Sequence, residues 1–182
     1  VTNDFGVLVL TGPRSRDVLG KLTNANLSNQ SFPWMGCREI EVNNIPVRAL
    51  RVSYVGELGW ELHHPMARML ELYDALHQVG KEHGLADFGT YAVNSLRMEK
   101  AYKVWGGELT TEITPVEADL VRFVDFSKSF IGREATLARK LQGTGMRLVY
   151  LGVDAKETDC LGNEPVYDEE RLIGVTTGGA YG

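Results

Sequence analysis

The residues best suited to chemistry in this chain are crowded between Tyr54 and Glu61, in the run Ser53-Tyr54-Val55-Gly56-Glu57-Leu58-Gly59-Trp60-Glu61-Leu62. A phenol, two carboxylates and an indole surround two glycines at the end of an apolar strand. In one uninterrupted strand Tyr54 and Glu61 fall on opposite faces, because side chains alternate with a period of two. A reversal over Gly56 to Gly59 lets both flank one pocket, with Trp60 pointing the other way. That arrangement sets a carboxylate acceptor opposite a phenol. An ordinary hairpin with Glu61 as a solvated carboxylate satisfies the same pattern.

A second constellation is Asn94-Ser95-Leu96-Arg97-Met98-Glu99-Lys100, followed by Trp105-Gly106-Gly107. An arginine in an apolar helical stretch needs a carboxylate partner, since it is rarely buried alone. An intrahelical salt bridge meets that need, and Trp105 reads equally as a core anchor or a ligand wall. Other chemistry finds little support. His63 and His64 point to opposite faces of a strand, and His77 and His83 share no helical face, which argues against a metal site. Ser95 lies within a predicted helix, and Cys37 and Cys160 form neither a metal pair nor a redox pair. The glycines lack the strand-loop-helix context of a phosphate cradle.

The elements that must position these groups follow from periodicity. Phe5 to Leu10 reads as a buried strand closed by Thr11-Gly12-Pro13, with a helix after it capped by Ser15 and carrying Val18, Leu19 and Leu22. Cys37 to Val42 and Pro46 to Ser53 form a predicted hairpin about Asn43-Asn44. Pro65 opens a helix marked by Met66, Met69, Leu70, Tyr73, Leu76 and Val79 and stopped at Gly84. Further helices are predicted from Thr90 to Tyr102, after Thr114-Pro115-Val116-Glu117 as a capping box with proline at the first position, and from Gly132 to about Lys140. Beyond Gly143, Arg147 to Val153, Pro165 to Tyr167 and Leu172 to Thr176 are short β-rich runs, so a second, β-rich domain is expected there.

The 182 residues, 43% of them hydrophobic, suffice for a globular core. With 24 acidic against 19 basic residues, a net charge of −5, neither nucleic acid nor an anionic membrane is an expected partner. No stretch reaches the roughly 20 apolar residues of a membrane helix. The start at Val1 within an apolar run and the end at Tyr181-Gly182 read as cuts in a longer polypeptide.

Taken together, the segments Ser53 to Leu62 and Gly89-Thr90-Tyr91-Ala92-Val93-Asn94-Ser95-Leu96-Arg97-Met98-Glu99-Lys100 resemble the superfamily of the glycine cleavage T-protein, an aminomethyltransferase. The Gly-Glu-Leu-Gly-Trp-Glu wording and Trp105-Gly106 look most like the C-terminal module of dimethylglycine and sarcosine dehydrogenases. Val9-Leu10-Thr11-Gly12-Pro13-Arg14, Thr114 to Ala118, Phe130-Ile131-Gly132-Arg133-Glu134-Ala135 and Ile173 to Gly179 match in family order. The resemblance therefore spans nearly the whole chain.

It implies an α+β fold: part of the folate-binding α/β domain over 1–142, then the start of a barrel- or jelly-roll-like domain over 143–182. It also implies tetrahydrofolate as the ligand. Glu61 would hold the pterin, whose edge offers two adjacent N–H donors to one carboxylate. Tyr54 would border the same pocket, Arg97 would order its acidic groups or sit near the folate, and Trp105 would wall it. The superfamily's essential aspartate lies on a segment ahead of the first strand, and neither Asp4 nor Asp17 matches its motif. No catalytic residue is therefore expected in this chain, and an FAD oxidoreductase domain is expected in cis upstream. A methylamine- or glycine-derived one-carbon donor is the expected co-substrate, in the bacterial cytoplasm or mitochondrial matrix.

Other members of the superfamily fit as alternatives. A free-standing T-protein shares the pocket, and a non-catalytic relative such as the regulatory subunit of pyruvate dehydrogenase phosphatase shares the architecture. The folate-binding iron-sulfur assembly factor carries Lys-Gly-Cys, where this chain has Met35-Gly36-Cys37.

Overall fold

A computed structural model describes residues 2–181, so Val1 and Gly182 lie outside the description. The chain divides into two compact units, one up to Leu96 and one from Arg97 onward. The change of texture in the sequence fell instead at 142/143.

The first unit is built on a four-stranded antiparallel sheet in the order β1 (Phe5–Thr11), β4 (Gly59–Pro65), β3 (Ile45–Leu50), β2 (Cys37–Val42). The hairpin of β2 and β3 closes on Asn43 and Asn44, both with positive φ (52° and 59°), the primed-turn geometry that Asn tolerates. Its second strand stops at Leu50, three residues short of the predicted end, where the chain turns away toward the Tyr54 loop.

One face of the sheet is sealed. Leu10, Trp60, Leu62, Val47 and Ala49 share a buried cluster with Val18 and Leu19 of α1 (Ser15–Gly20) and Leu72 and Leu76 of α2 (Met69–Gly80). Trp60 is fully buried with Phe32 edge-on at a centroid distance of 6.1 Å. Each such side chain contributes roughly 1.5–3 kcal/mol by leaving water. Phe5, Val7 and Val9 of β1, by contrast, point to the other face and stay exposed.

The helical stretch expected from Pro65 divides into a 3-10 turn at Met66–Arg68, α2, and a second 3-10 turn at Lys81–His83. It ends where expected, with Gly84 left-handed at φ 71°. Ser15 does not cap α1: its hydroxyl donates to the Leu58 carbonyl at 3.0 Å instead.

Two further helices are shorter than their periodicity suggests, for the same reason. α3 (Thr90–Glu99) ends because Ala101 takes φ 58° and Tyr102 N–H donates back to the Arg97 carbonyl at 3.0 Å. The predicted helix after Thr114 is a single turn, closed by Asp119 at φ 57° and by Leu120 N–H donating to the Pro115 carbonyl at 2.8 Å. Both are Schellman-type terminations with a non-glycine residue in the left-handed position, where sequence reading looks for glycine.

In the second unit α4 (Arg133–Gln142) runs from left-handed Gly132 to Gly143, which takes φ 80°. The C-terminal part holds one hairpin, β5 (Pro165–Asp168) with β6 (Arg171–Val175). Arg147 to Val153, expected as a third β-rich run, forms no strand, because strand-forming residues need a neighbouring strand to pair with. Among the described residues from Arg97 on, Ala118 is the one buried apolar residue, whereas Arg97, Glu108 and Glu117 are buried and charged. This unit is organised by ion pairs more than by an apolar core.

Candidate functional site

The reversal expected at Gly56 is present. The turn covers residues 54–58, with Gly56 at φ 76° accepting a conformation that a side chain would strain. Its exit is fastened to the start of α1, because the Leu58 carbonyl accepts from Gly12 N–H at 2.8 Å and from the Ser15 hydroxyl. Ser53 Oγ meets Thr11 Oγ1 at 3.0 Å on its entry side. Tyr54 leads this turn and is 43% exposed, while Val55 beside it is buried.

Gly59 serves a different purpose from Gly56. It is the first residue of β4, paired with Thr11, and a Cβ there would lie 2.8 Å from the Leu10 carbonyl oxygen. The second glycine of the motif thus permits close strand pairing and not a turn.

From Trp60 the alternation is strict. Trp60, Leu62 and His64 are buried, while Glu61 and His63 lie on the opposite, partly open face. Glu61 is flanked across the strands by Val9 and Leu50. Its Oε2 is 3.2 Å from His63 Nε2. A cleft of about 650 Å³ on this side is lined by His63 with Phe5, Glu39, Arg48 and Pro65, and a second, of about 380 Å³, by β1, α2 and residues 83–88.

Arg97 and Trp105 belong to the second unit. Arg97, near the end of α3, is buried, and its NH1 donates to the Tyr102 carbonyl at 2.8 Å and to Glu108 Oε2 at 3.3 Å. The carboxylate partner is therefore outside the helix, and not intrahelical. Burial pushes the Glu108 carboxyl up, but Val104 N–H at 2.7 Å, the Thr177 hydroxyl at 2.9 Å and Arg97 outweigh it and hold it below the usual range. Trp105 is 82% exposed and so is no core anchor.

Glu108 was not singled out from the sequence, although it follows Trp105-Gly106-Gly107 directly. Gly106, left-handed at φ 85°, turns the chain so that Glu108 reaches back to the Val104 amide. A carboxylate just after a glycine pair, with an arginine one helix earlier, was the available signal. Glu117 likewise acts structurally: the Thr114 hydroxyl first, then Arg139 Nε at 2.7 Å, bring its carboxyl down to about 2 against burial.

Comparison with known proteins supports the resemblance. Mouse mitochondrial dimethylglycine dehydrogenase is 43% identical over the whole chain, which spans 21% of that protein. Mouse mitochondrial sarcosine dehydrogenase is 38% identical over 95% of the chain and 19% of its own length. An aminomethyltransferase of Thermoanaerobacter pseudethanolicus is 33% identical over 98% of the chain and 48% of its own. The chain thus corresponds to about a fifth of the dehydrogenases. The GCVT N-terminal domain model matches residues 1–128, and the chain belongs to that family.

Proposed function

We propose that this chain is the folate-binding part of a one-carbon transfer module within a longer, FAD-dependent dimethylglycine or sarcosine dehydrogenase-like protein. The observation that carries the reading is Glu61. It is a carboxylate about one-third exposed in a row of apolar cross-strand neighbours, Val9 and Leu50, on the open face of β4. With Oε2 engaged by His63, the carboxylate retains lone pairs for further donors. It fits the paired N–H edge of a pterin, and apolar neighbours strengthen a charge-assisted bond by excluding water.

In this reading Tyr54 borders the pterin from the Gly56 turn. Arg97 contributes by ordering Glu108. The 43% identity to a dimethylglycine dehydrogenase, against 33% to an aminomethyltransferase, favours the fused module over the free-standing enzyme. Residues 143–182 with the β5–β6 hairpin, outside the family match over residues 1–128, are assigned to the start of a β-rich C-terminal domain.

The aspartate that activates the folate nitrogen, and the FAD domain that oxidises the N-methyl amine, are assigned to other parts of the longer protein. The chain by itself then neither oxidises a methylamine nor transfers a one-carbon unit at a useful rate. Robust folate-dependent turnover by the isolated chain refutes that part. The anchor is tested by titrating tetrahydrofolate into Glu61→Gln, with an expected loss on the order of 1.5–3 kcal/mol. Binding as tight as the parent's overturns the assignment.

A further inference from the structure

We propose that His63 is a positioning residue for the ligand carboxylate, holding Glu61 in one orientation before folate arrives; the inference rests on Glu61 as the pterin anchor. Residues two apart on a strand share a face, and on β4 the outward pair is Glu61 and His63. The strand register leaves Glu61 few other polar neighbours. Its cross-strand partners are Val9 and Leu50, which have no side-chain donor. The partners of His63 are Val7 and Arg48, and Arg48 NH2 is committed to Glu39 Oε1 at 2.8 Å on β2.

His63 Nε2 lies 3.2 Å from Glu61 Oε2, with both side chains about one-third exposed. In the tautomer that carries its proton on Nε2, the ring donates to that oxygen. A glutamate with three rotatable bonds would otherwise sample several rotamers at a partly open surface. Fixing one oxygen through a stiff imidazole turns the carboxylate toward its remaining acceptor directions and removes part of the ordering cost of binding. His63 acts through Glu61 and does not itself bind the pterin.

The test is a tetrahydrofolate titration of the full-length protein with His63→Leu, His63→Gln, Glu61→Gln and the Glu61→Gln/His63→Leu pair. His63→Leu, which keeps the bulk and loses the donor, is expected to raise Kd about tenfold, equivalent to ~1.4 kcal/mol. His63→Gln, whose amide N–H reaches a similar point, is expected to return Kd to within about threefold of the parent's, as a hydrogen-bond role requires. On the Glu61→Gln background His63→Leu is expected to add nothing beyond about twofold, because coupled residues fail to add. Thermal unfolding of each variant controls for folding, and His63→Gln keeps the test alive should the leucine variant be unstable. Parent-like binding by His63→Leu while Glu61→Gln is weakened overturns the role of His63 alone. An undiminished His63→Leu effect on the Glu61→Gln background does so as well. Parent-like binding by Glu61→Gln removes the anchor on which both depend.

Discussion

Replacing Arg97 by methionine isolates the ion pair that organises the second unit. Arg97 and Glu108 have side chains only 3% and 4% exposed, with NH1 and Oε2 3.3 Å apart. At an effective dielectric of about 20, unit charges at that distance attract by about 5 kcal/mol, which in the intact pair is largely offset by the desolvation of both groups. Methionine fills similar volume but leaves the Glu108 carboxylate buried with uncharged donors, the Val104 and Glu108 backbone N–H groups and the Thr177 hydroxyl. The Tyr102 carbonyl also loses its donor, worth about 1 kcal/mol. The expected cost is ~3–5 kcal/mol by urea denaturation followed by circular dichroism, with faster exchange at the Val104 amide. Adding Glu108→Gln to Arg97→Met removes the stranded charge, so the double variant should be more stable than Arg97→Met, with a coupling of about 2 kcal/mol or more. A loss below ~1 kcal/mol for Arg97→Met, or no coupling, refutes the claim that these charges are desolvated. The pH dependence supplies a second check. The folded Glu108 carboxyl is held low, so its stabilisation is present above the ordinary carboxylate range and is lost as pH falls through the lowered value. Without Arg97 the folded value rises, so less of this stabilisation remains to be lost on acidification.

Glu117, held by Thr114 and Arg139, and Glu164, held by the Thr176 hydroxyl and the Leu161 and Gly162 amides, are both lowered from 4.5 to about 2. Their stabilisation is therefore complete above pH 4.5 and lost as pH falls toward 2, and Glu117→Gln should flatten the acid side of the stability–pH curve in denaturant melts. Gly59→Ala forces a Cβ against the Leu10 carbonyl, so it should lower the melting temperature and weaken tetrahydrofolate binding together, through the β1–β4 pairing under Glu61. Trp60→Ala opens a cavity in the sealed face of the sheet and should cost ~3–5 kcal/mol in chemical denaturation. Trp105→Ala, at an exposed site, should change stability by no more than about 0.5 kcal/mol, so a drop in tetrahydrofolate affinity would report a ligand wall directly.

Much of the scaffold around Glu61 could be read from local pattern. An apolar run located β1, alternation located β2, and a period of two put Trp60 on the face opposite Glu61, because such patterns depend on neighbouring residues alone. Asn43-Asn44 and Gly84 announced a hairpin and a helix end, since the conformations they favour are intrinsic to those side chains. The Thr114 and Glu117 pairing was also visible, although the helix after it was not formed. Family motifs pointed to Glu61, Tyr54, Arg97 and Trp105 as a group.

What tertiary structure decided is which partners these groups meet. Ala101 ends α3 in a left-handed conformation that alanine disfavours, and Asp119 closes its turn the same way, the following residue's N–H donating five residues back in each case. Ser15 gave up a cap for the Leu58 carbonyl, and Gly59 proved to be a strand-contact glycine, both consequences of β1 lying against β4. Arg97 found Glu108, eleven residues on, through a turn at Gly106. The alternation in the sequence placed Glu61 and His63 on one face of β4, whereas strand register set Val9 and Leu50 beside Glu61, and those pairings join residues 52 and 11 positions apart that no local pattern encodes.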